Sequence, residues 1–385
     1  METLIAQVES FASETDDTGR AKLEIALRDA LQSMETPWET VIRHINQVCY
    51  KAHQQIAMIR IGCDLDLFRI IAESSNPLTV EMLAKQTGAA PLLLGRILRN
   101  LAANGLVNET DHNTYNANRM TKRWAQPSFV GACHHIFDDL GTAVQVLPDF
   151  LKSHRYQDIT DPKDTPIQLG HHTALDIFAW FNTQPERLKH FQHTMTIPRP
   201  GEWLDVFPLR DYLGDNVLAD TPVFVDVGGS FGQQCIRLRE KYPGLPGRVI
   251  CQDLPATIEE APQVPGIEFM SHDFFKENPI KGATFYYLRT VLHDWPDDKC
   301  VEILRRLREA SDVGSKVLID EMVLDKTGVH WQAATLDIGM AMALGAMERT
   351  RDQWEALVEQ AGFRIESVNC YSSKPSFCIV VLVRN

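Results

Sequence analysis

Apolar residues recur at helical spacing through the amino-terminal part of the chain, and this pattern predicts two helices with apolar stripes. The stripe residues are Leu4, Ile5, Val8, Phe11, Leu23, Ile25, Ala26, Ala30 and Leu31. Pro37 interrupts the second stripe, and a further helix is predicted to start near Trp38. Because so short a segment has no core of its own, we expect it to pack on a second copy of the chain or on its own domain.

The next segment has the pattern of a winged helix. Residues 52–72 are apolar at helical spacing, Thr79 is placed to cap a second helix that Gly88 ends, and residues 91–104 predict a third helix. Two short strands are then predicted at residues 105–108 and 114–117. Helices followed by a small hairpin are typical of winged-helix modules.

A winged helix either reads DNA or serves as a dimerisation and pocket-wall element. The helix that would read DNA carries only Arg96 and Arg99 as cations, and the formal net charge of the chain is −13. Nucleic-acid surfaces require a basic patch. The pattern therefore favours a homodimer formed through this module, with no nucleic acid as partner.

Residues 125 to 215 predict a mostly helical region rich in histidine and aromatic side chains. It contains the pairs His134-His135, His171-His172 and Trp180-Phe181 and a turn at residues 196–201 that includes Arg199. Adjacent helical residues point about 100° apart, and no HxxxH spacing accompanies the pairs, so we predict no metal site. One of His134 and His135 is expected to line a pocket; the alternative is an ordinary helix position.

From Thr221 onwards, strands alternate with helices. The predicted strands cover residues 223–229, 248–253, 267–270, 283–289, 316–321, 363–370 and 376–383. The predicted helices among them cover residues 257–260, 297–310, 336–344 and 350–361, besides one that follows the first strand. Alternation of this kind predicts an α/β fold with a mainly parallel, doubly wound sheet whose ligands lie at the carboxyl ends of the strands.

These patterns divide the chain into three segments. Residues 1–125 are expected to form a helical, winged-helix-like dimerisation domain, residues 126–215 a helical linker and substrate-pocket region, and residues 216–385 a Rossmann-like catalytic domain. The length of 385 residues is sufficient for two or more domains.

Composition places the chain among ordinary globular proteins, with 44% hydrophobic and 23% charged residues. The amino terminus is acidic and amphipathic, unlike a signal peptide, and no apolar run is long enough to cross a membrane. The eight cysteines show no metal-binding spacing, which favours reduced, buried thiols. We therefore expect a cytoplasmic location.

The first predicted strand runs into the glycine turn Gly228-Gly229-Ser230-Phe231-Gly232, which precedes a helix. A buried strand, a glycine turn and a helix start form a nucleotide-type cofactor cradle. Asp226, Asp253 and Asp273 end successive strands, where they suit the amino-acid tail, the ribose and the adenine of a cofactor. Both NAD and S-adenosylmethionine fit this set. The turn has no GxGxxG motif and has carboxylates beside it, and both features favour S-adenosylmethionine.

Several motifs in this order resemble those of the S-adenosylmethionine-dependent O-methyltransferases of the plant caffeate type and the fungal secondary-metabolite class. They are DVGGSFG, QDLPATIEEAP, SHDFF, LRTVLHDWPDDKC, LIDEMVLD and MERTRDQWEALVEQAGF. The resemblance covers the whole chain. It implies a class I methyltransferase domain that binds S-adenosyl-L-methionine, preceded by a winged-helix dimerisation domain.

The resemblance also implies roles for individual residues. The cofactor would be held by Asp226, Gly228, Gly229, Asp253, Leu254, Asp273, Phe274 and Arg289. His293 matches the general base of the family, and Glu321 and Glu348 match the carboxylates that orient it. A histidine suits this role because its ordinary pKa, about 6.5, lies near neutrality. A structural alternative is that His293 only caps the turn at residues 294–296.

The acceptor pocket is expected to be apolar with few polar anchors, as pockets for small molecules generally are. Its predicted residues are His134, His135, Phe178, Arg199, Met340 and Met342. These side chains suit a polyketide- or alkaloid-type substrate with a hydroxyl group. Ordinary helix core is the alternative for the methionines.

Two other functions are consistent with the sequence. Fungal relatives of this family include proteins that bind S-adenosylmethionine yet catalyse dehydration and pericyclic ring closure, in which His134 or His135, Arg199 and the cofactor's charge would polarise the substrate. The other alternative is a winged-helix regulator. The presence of His293, Glu321 and Glu348 favours methyl transfer.

Overall fold

The computed structural model describes residues 2–36, 38–39, 41, 51–197, 199, 201–213, 217–372 and 376–385. The chain divides into two compact units. The first comprises Met1–Gln145 and Phe178–Pro198, and the second comprises Val146–Ile177 and Arg199–Asn385. The expected helix near Trp38 lies largely outside the described residues. The division into three segments at residues 125 and 215 stays a prediction.

The first unit is mostly helical, as predicted. Its helices, including two that cross the unit boundary, are Glu2–Glu14, Asp17–Ser33, Ala52–Asp64, Leu67–Glu73, Val80–Thr87, Pro91–Ala103, Arg119–Trp124, Pro127–His134, Gly141–Ser153, Ile177–Asn182 and Pro185–Met195. A π-helix at His135–Leu140 joins two of them. Such short π-helices are rare in proteins, and those that occur are often found at functional sites.

A small antiparallel sheet accompanies these helices. Its strands are β1 (Leu78–Thr79), β2 (Asn108–Asp111) and β3 (Thr114–Asn116), in the order β1-β3-β2. The predicted cap is confirmed, because Thr79 Oγ1 accepts a hydrogen bond from the Met82 amide at 3.3 Å. The hairpin strand starts at Asn108 rather than at Gly105, since Gly105 (φ 72°) still belongs to the turn that closes the preceding helix.

The predicted helix over residues 52–72 is two helices. Asp66 takes a φ of 56°, which breaks the helix between Asp64 and Leu67. Leu67 and Phe68 are almost fully buried in the core of this unit. The break therefore turns the second helix so that its apolar residues meet the same core as the first.

The second unit contains the predicted mainly parallel sheet. Its strands are β4 (Pro222–Val227), β5 (Arg248–Asp253), β6 (Glu268–Ser271), β7 (Phe285–Arg289), β8 (Lys316–Leu324), β9 (Arg349–Thr350), β10 (Phe363–Cys370) and β11 (Phe377–Arg384). The sheet order is β10-β11-β8-β7-β4-β5-β6, and β9 pairs with β8. Strands β4 to β9 pair in parallel, whereas β11 is antiparallel to β8 and β10. β10 and β11 thus form an antiparallel pair, with β10 at the edge of the sheet.

Helices cover both faces of this sheet. The helices of this unit are Pro166–His171, Trp203–Val206, Gln233–Lys241, Pro255–Glu260, Asp297–Ala310, Trp331–Leu344 and Arg351–Gln360. Val225 on β4 packs in one buried cluster with the helices at 297–310 and 351–360. Its neighbour Phe224 packs in the other cluster with Trp203 and the helix at 233–241. Successive strand residues thus face opposite layers, as a doubly wound sheet requires.

The expectation that all cysteines are reduced is wrong for one pair. Cys370 and Cys378 are register partners on β10 and β11 and form a disulfide. The free cysteines of the described residues are Cys63, Cys133, Cys235, Cys251 and Cys300, while Cys49 lies outside the described residues. Within the described part of the chain, no helix is long and apolar enough to span a membrane.

Candidate active site

The glycine turn after β4 is hydrogen-bonded to the neighbouring strand, β5. The amides of Gly228 and Gly229 both donate to the carbonyl of Gln252 on β5, at 2.8 and 3.0 Å. A Cβ atom on Gly229 would lie 2.6 Å from Cγ of Asp226, which leaves no room for a side chain. Gly228 and Ser230 have φ of 74° and 52°. The turn therefore tolerates serine at position 230, in the left-handed region that normally favours glycine.

Three carboxylates lie at the ends of adjacent strands around this turn. Asp226 is buried, and burial raises its pKa to about 7. Asp253 Oδ2 accepts a hydrogen bond from the Ser230 amide at 2.8 Å, and its Oδ1 accepts one from Leu254 at 2.8 Å. Asp273 Oδ1 accepts a hydrogen bond from the Phe275 amide at 3.0 Å. Each carboxylate is thus oriented by a short loop or by burial at the carboxyl edge of the sheet.

An aromatic side chain lies beside the turn. The ring of Phe274 is 3.8 Å from the position of a Cβ on Gly228, and its ring centroid is 6.0 Å from that of Trp295. Leu254 exposes about half of its surface. Bare backbone at Gly228, the carboxylates and these apolar side chains are groups that fit an adenosine with a cationic amino-acid tail. The predicted cofactor residues other than Arg289 therefore cluster on β4, β5 and β6 and the loops that follow them.

Arg289 belongs to a neighbouring network centred on Asp320. The Asp320 side chain is fully buried; its Oδ2 accepts from Arg289 at 3.0 Å and from the Tyr287 hydroxyl at 2.5 Å. Its Oδ1 accepts from the Tyr371 hydroxyl at 2.7 Å and from Arg199 at 3.3 Å. Burial raises the pKa of Tyr287 well above its usual value, and the Asp320 carboxylate raises it further.

Arg199, predicted to contact substrate, is thereby placed at the carboxyl ends of β7 and β8. Its guanidinium lies 4.2 Å from the centroid of the Phe377 ring. Asp320, Tyr287 and Tyr371 were not predicted as site residues from the sequence. The available signal was an aspartate within the strand motif LIDE, directly before Glu321.

His293 lies on a short 3₁₀ turn at Leu292–Asp294 directly after β7 and is buried. Its Nδ1 is 2.7 Å from Oε1 of Glu348, and its Nε2 is 3.4 Å from Oδ1 of Asp294. A carboxylate at Nδ1 selects the tautomer that carries its proton on that nitrogen. Nε2 is then the nitrogen that can accept a proton.

Glu321 acts on the backbone of this turn rather than mainly on the imidazole. Its Oε1 accepts hydrogen bonds from the amides of Val291, Leu292 and His293, at 3.0, 3.1 and 3.4 Å. Its Oε2 is 3.8 Å from Nδ1 of His293, beyond hydrogen-bond distance. The two predicted orienting carboxylates therefore divide the task, with Glu348 on the ring and Glu321 on the main chain.

The charges of this cluster set its proton affinity. Burial alone lowers the pKa of His293, but the carboxylates of Glu321, Asp294 and Glu348 outweigh it and raise the pKa to about 10. Burial raises the pKa of Glu321 to about 7 and that of Asp294 to about 6, although His293 opposes both shifts. The chain by itself thus favours a protonated imidazole at neutral pH.

The paired histidines of the first unit have different partners. His135 Nδ1 is 2.9 Å from Oδ2 of Asp139, a carboxylate that also pairs with Arg187. The ring of His134 stacks on that of His190 with centroids 3.9 Å apart, and burial lowers the pKa of His134.

The aromatic side chains separate the two histidines further. His135 lies against Phe181 and Phe191, at centroid distances of 5.9 and 5.3 Å, and Phe178 is 6.3 Å from Phe191. His135, not His134, is therefore the histidine among apolar rings.

Met340 and Met342 are on the helix Trp331–Leu344. Residues that are two positions apart on a helix point about 200° apart, so these two side chains point to nearly opposite sides of the helix. Met342 is buried and Met340 is half-buried. The same helix contacts the His293 cluster, because Asp337 Oδ1 accepts a hydrogen bond from the Glu348 amide at 3.0 Å.

Two groups of buried side chains bring potential metal-ligating atoms within 4.8 Å of one another. They are Asp226 with Cys235 and Cys251, and His293 with Glu321 and Glu348. The second group is the predicted proton-accepting cluster itself. That the protein uses no metal stays a prediction.

Comparisons with known proteins match two parts of the chain to family models. Residues 177–364 match the family model of the O-methyltransferase domain, and residues 52–127 match that of the O-methyltransferase dimerisation domain. A demethylsterigmatocystin 6-O-methyltransferase of Aspergillus flavus is 41% identical, over 100% of this chain and 98% of that protein.

Solved structures provide a second comparison. A protein described as a pericyclic reaction enzyme superposes with a TM-score of 0.93 and 37% identity, covering 100% of this chain and 99% of the other. The structure of LepI in complex with SAM gives the same TM-score and identity, covering 100% and 98%.

Proposed function

Because the chain belongs to the S-adenosylmethionine-dependent O-methyltransferase family, we propose that it transfers a methyl group to a hydroxyl of a small, largely apolar metabolite, with His293 as general base. The fold is the class I methyltransferase fold with an amino-terminal dimerisation domain. The cofactor is S-adenosyl-L-methionine. The observation that supports the base assignment is the buried contact of 2.7 Å between His293 Nδ1 and Glu348.

In this reaction the acceptor oxygen forms a bond to the methyl carbon while the bond from that carbon to sulfur breaks. S-adenosylmethionine supplies the electrophilic methyl group and a positively charged sulfur. His293 Nε2 takes the hydroxyl proton, and Glu348 holds the ring so that this nitrogen faces away from the carboxylate. The products are a methyl ether, S-adenosylhomocysteine and an imidazolium that returns its proton to solvent.

The raised pKa of His293 requires that its proton leave before it acts as a base. A positive charge bound near an imidazolium lowers its pKa, because it opposes the carboxylates that hold the proton. Glu321, with its own pKa raised to about 7, is a nearby group that can exchange a proton in the neutral range. We therefore expect the pKa of His293 to be higher in the free chain than in the complex with S-adenosylmethionine.

We assign the cofactor to the glycine turn and its carboxylates. In this assignment Asp253 would bind the ribose hydroxyls, Asp273 and Phe274 the adenine, and Asp226 with Arg289 the amino-acid tail. The position of Asp253 beside the Ser230 amide and that of Asp273 in the loop after β6 support it. Gly228 and Gly229 provide bare backbone, and Leu254 an apolar wall.

For the acceptor we propose a polyketide- or alkaloid-type compound. The fungal relative acts on demethylsterigmatocystin, as its name states. Arg199 and Met340 in the second unit remain candidates for contacting it. His134, His135 and Phe178 in the first unit, and the buried Met342, stay predictions.

A second candidate function is pericyclic ring closure without methyl transfer. It is favoured by the similarity to the pericyclic reaction enzyme and by the His135–Asp139 pair among aromatic rings. The intact His293–Glu348 pair favours methyl transfer. Pericyclic ring closure does not require a group that accepts a proton beside the cofactor.

The two functions predict different product masses. Purified enzyme is incubated with S-adenosylmethionine and a panel of hydroxylated polyketides, and products are analysed by mass spectrometry. We expect a product in which one methyl group replaces one hydrogen, together with one equivalent of S-adenosylhomocysteine. A product of unchanged mass with the cofactor unconsumed would establish the second candidate instead.

We further propose a homodimer formed through the dimerisation domain at residues 52–127. Exposed apolar residues on the preceding helices, Ile5 and Phe11, support it. A monomeric mass in light scattering at micromolar concentration would contradict it. We also propose a cytoplasmic location, supported by the free cysteines among the described residues.

A further inference from the structure

Arg349 is a fully buried cation that none of the roles above uses. It is the first residue of β9 and directly follows Glu348, and its side chain has 0% exposure. Arginine is almost never fully buried unless it is paired, and a buried charge needs hydrogen bonds for its donors. What this guanidinium binds therefore indicates what it does.

The partners of Arg349 lie on both sides of His293 in the sequence. Nη1 donates to the carbonyl of Leu292 at 3.0 Å, and Nη2 donates to the carbonyl of Trp295 at 3.0 Å. These two carbonyls belong to the residues directly before and directly after the His293-Asp294 pair. The planar guanidinium thus fixes the spacing of the turn that presents the imidazole.

The remaining donors of Arg349 anchor the guanidinium itself. Nε and Nη2 both donate to Oδ1 of Asp297, at 3.0 and 2.7 Å, at the start of the helix 297–310. Nη2 is also 3.5 Å from Sγ of Cys300, and the guanidinium lies 5.2 Å from the Trp354 ring centroid. A lysine has three rotatable donors on one nitrogen and cannot reproduce this fork.

We propose that Arg349 is a positioning residue for methyl transfer, which clamps the main chain of the His293 turn while Glu348 holds the ring. This proposal rests on His293 being the general base. Two adjacent residues then fix the base in two ways: Glu348 selects the tautomer of the imidazole, and Arg349, the first residue of β9, fixes the position of the ring relative to the acceptor oxygen. Asp297 neutralises the guanidinium, so its contribution is geometric rather than a change in the charge around the imidazole.

The proposal is tested with Arg349→Lys, which keeps the charge but not the fork. Misplacing a catalytic group by about 1 Å costs on the order of 100-fold in rate. We expect the single-turnover methyl-transfer rate of Arg349→Lys to fall by at least ~10-fold while the Kd for S-adenosylmethionine changes by less than ~3-fold. Arg351→Met, which removes an exposed arginine two positions away, is the matched control and should leave both values unchanged.

A double-mutant cycle separates positioning from general loss of structure. If Arg349 acts through His293, then adding Arg349→Lys to His293→Ala should reduce the rate no further. Multiplication of the two losses would overturn the proposal, because it would show that the two residues act independently. If Arg349→Lys does not fold, Asp297→Asn replaces it in the cycle, since Asp297 is 56% exposed and anchors the same guanidinium.

A spectroscopic readout keeps this proposal separate from the base assignment. The proton between His293 Nδ1 and Glu348 should give a downfield imidazole N–H resonance in ¹H NMR, identified by its loss in His293→Ala. We expect Arg349→Lys to shift or broaden this resonance and Arg351→Met to leave it unchanged. An unchanged resonance in Arg349→Lys would overturn the clamp, whereas full activity of His293→Ala would overturn the base and not the clamp.

Discussion

Glu348 and Glu321 both approach His293, but they constrain different parts of the residue. Glu348 contacts the imidazole Nδ1, whereas Glu321 Oε1 accepts hydrogen bonds from the amides of the turn that carries the ring. Burial makes each contact strong, because few water molecules compete with it. The carboxylates of Glu321 and Glu348 place negative charge next to the imidazole and raise the pKa of His293. Their Oε2 atoms are buried without a hydrogen-bond partner among the described residues.

This charge leads to a prediction for the pH dependence of the reaction. A general base must be unprotonated to act, so the rate should rise with pH through the pKa of His293. Glu348→Gln removes one of the carboxylates that raise this pKa. We expect the midpoint of the rising limb to move to lower pH in this variant, measured as the single-turnover rate against pH at saturating cofactor and acceptor.

The maximal rate of Glu348→Gln should also fall, because a glutamine no longer selects one imidazole tautomer as firmly as a carboxylate. Glu355→Gln, which changes an exposed glutamate on the helix 351–360, is the control and should keep the wild-type profile. A midpoint that does not move in Glu348→Gln would show that this carboxylate does not set the pKa of the base.

At the scale of elements, the glycine turn joins the cofactor residues to the sheet. Amides of the turn donate hydrogen bonds to the Gln252 carbonyl on β5, and the Ser230 amide donates one to the Asp253 carboxylate. The turn packs so closely on Asp226 that its shape and the carboxylate's burial depend on each other. A change in the turn should therefore affect stability and cofactor binding together.

Gly229→Ala tests this dependence. The added Cβ would lie 2.6 Å from Cγ of Asp226 and 2.8 Å from Sγ of Cys251. Overpacking of this kind costs about 1–3 kcal/mol. We expect the free energy of unfolding to fall by that amount and the Kd for S-adenosylmethionine to rise, measured by denaturant titration and by calorimetry.

The matched control for this change is Gly244→Ala, where a Cβ has no neighbour within 4 Å. It should leave the unfolding free energy and the Kd nearly unchanged. Equal stability and affinity of Gly229→Ala and the wild-type protein would contradict the close packing of the turn.

The elements of the second unit were predictable because strand and helix periods differ clearly along the chain. The strands at 248–253 and 363–370 and the helix at 297–310 have the predicted bounds. The break at Asp66 was not predictable, since the residues on both sides keep a helical pattern and only the left-handed φ interrupts it. Local patterns identify elements, whereas single-residue conformations depend on the packing around them.

At the scale of the whole molecule, the sequence order of the motifs was sufficient to identify the family and its cofactor. Contacts between distant segments were not predictable from it. Tyr371 and Arg199 reach Asp320 from segments far apart in the chain, and Arg349 reaches Leu292 across 57 positions. The Cys370–Cys378 bond depends on strand register, which spacing alone does not specify.

The central claim is that His293 accepts the proton during methyl transfer, and the rate of His293→Ala tests it most directly. The single-turnover rate of methyl transfer is measured with a saturating acceptor, and the Kd for S-adenosylmethionine is measured in parallel. We predict a loss of at least ~100-fold in rate with nearly unchanged cofactor affinity; His112→Ala, in the exposed hairpin of the first unit, should retain the wild-type rate. A wild-type rate in His293→Ala would contradict the account.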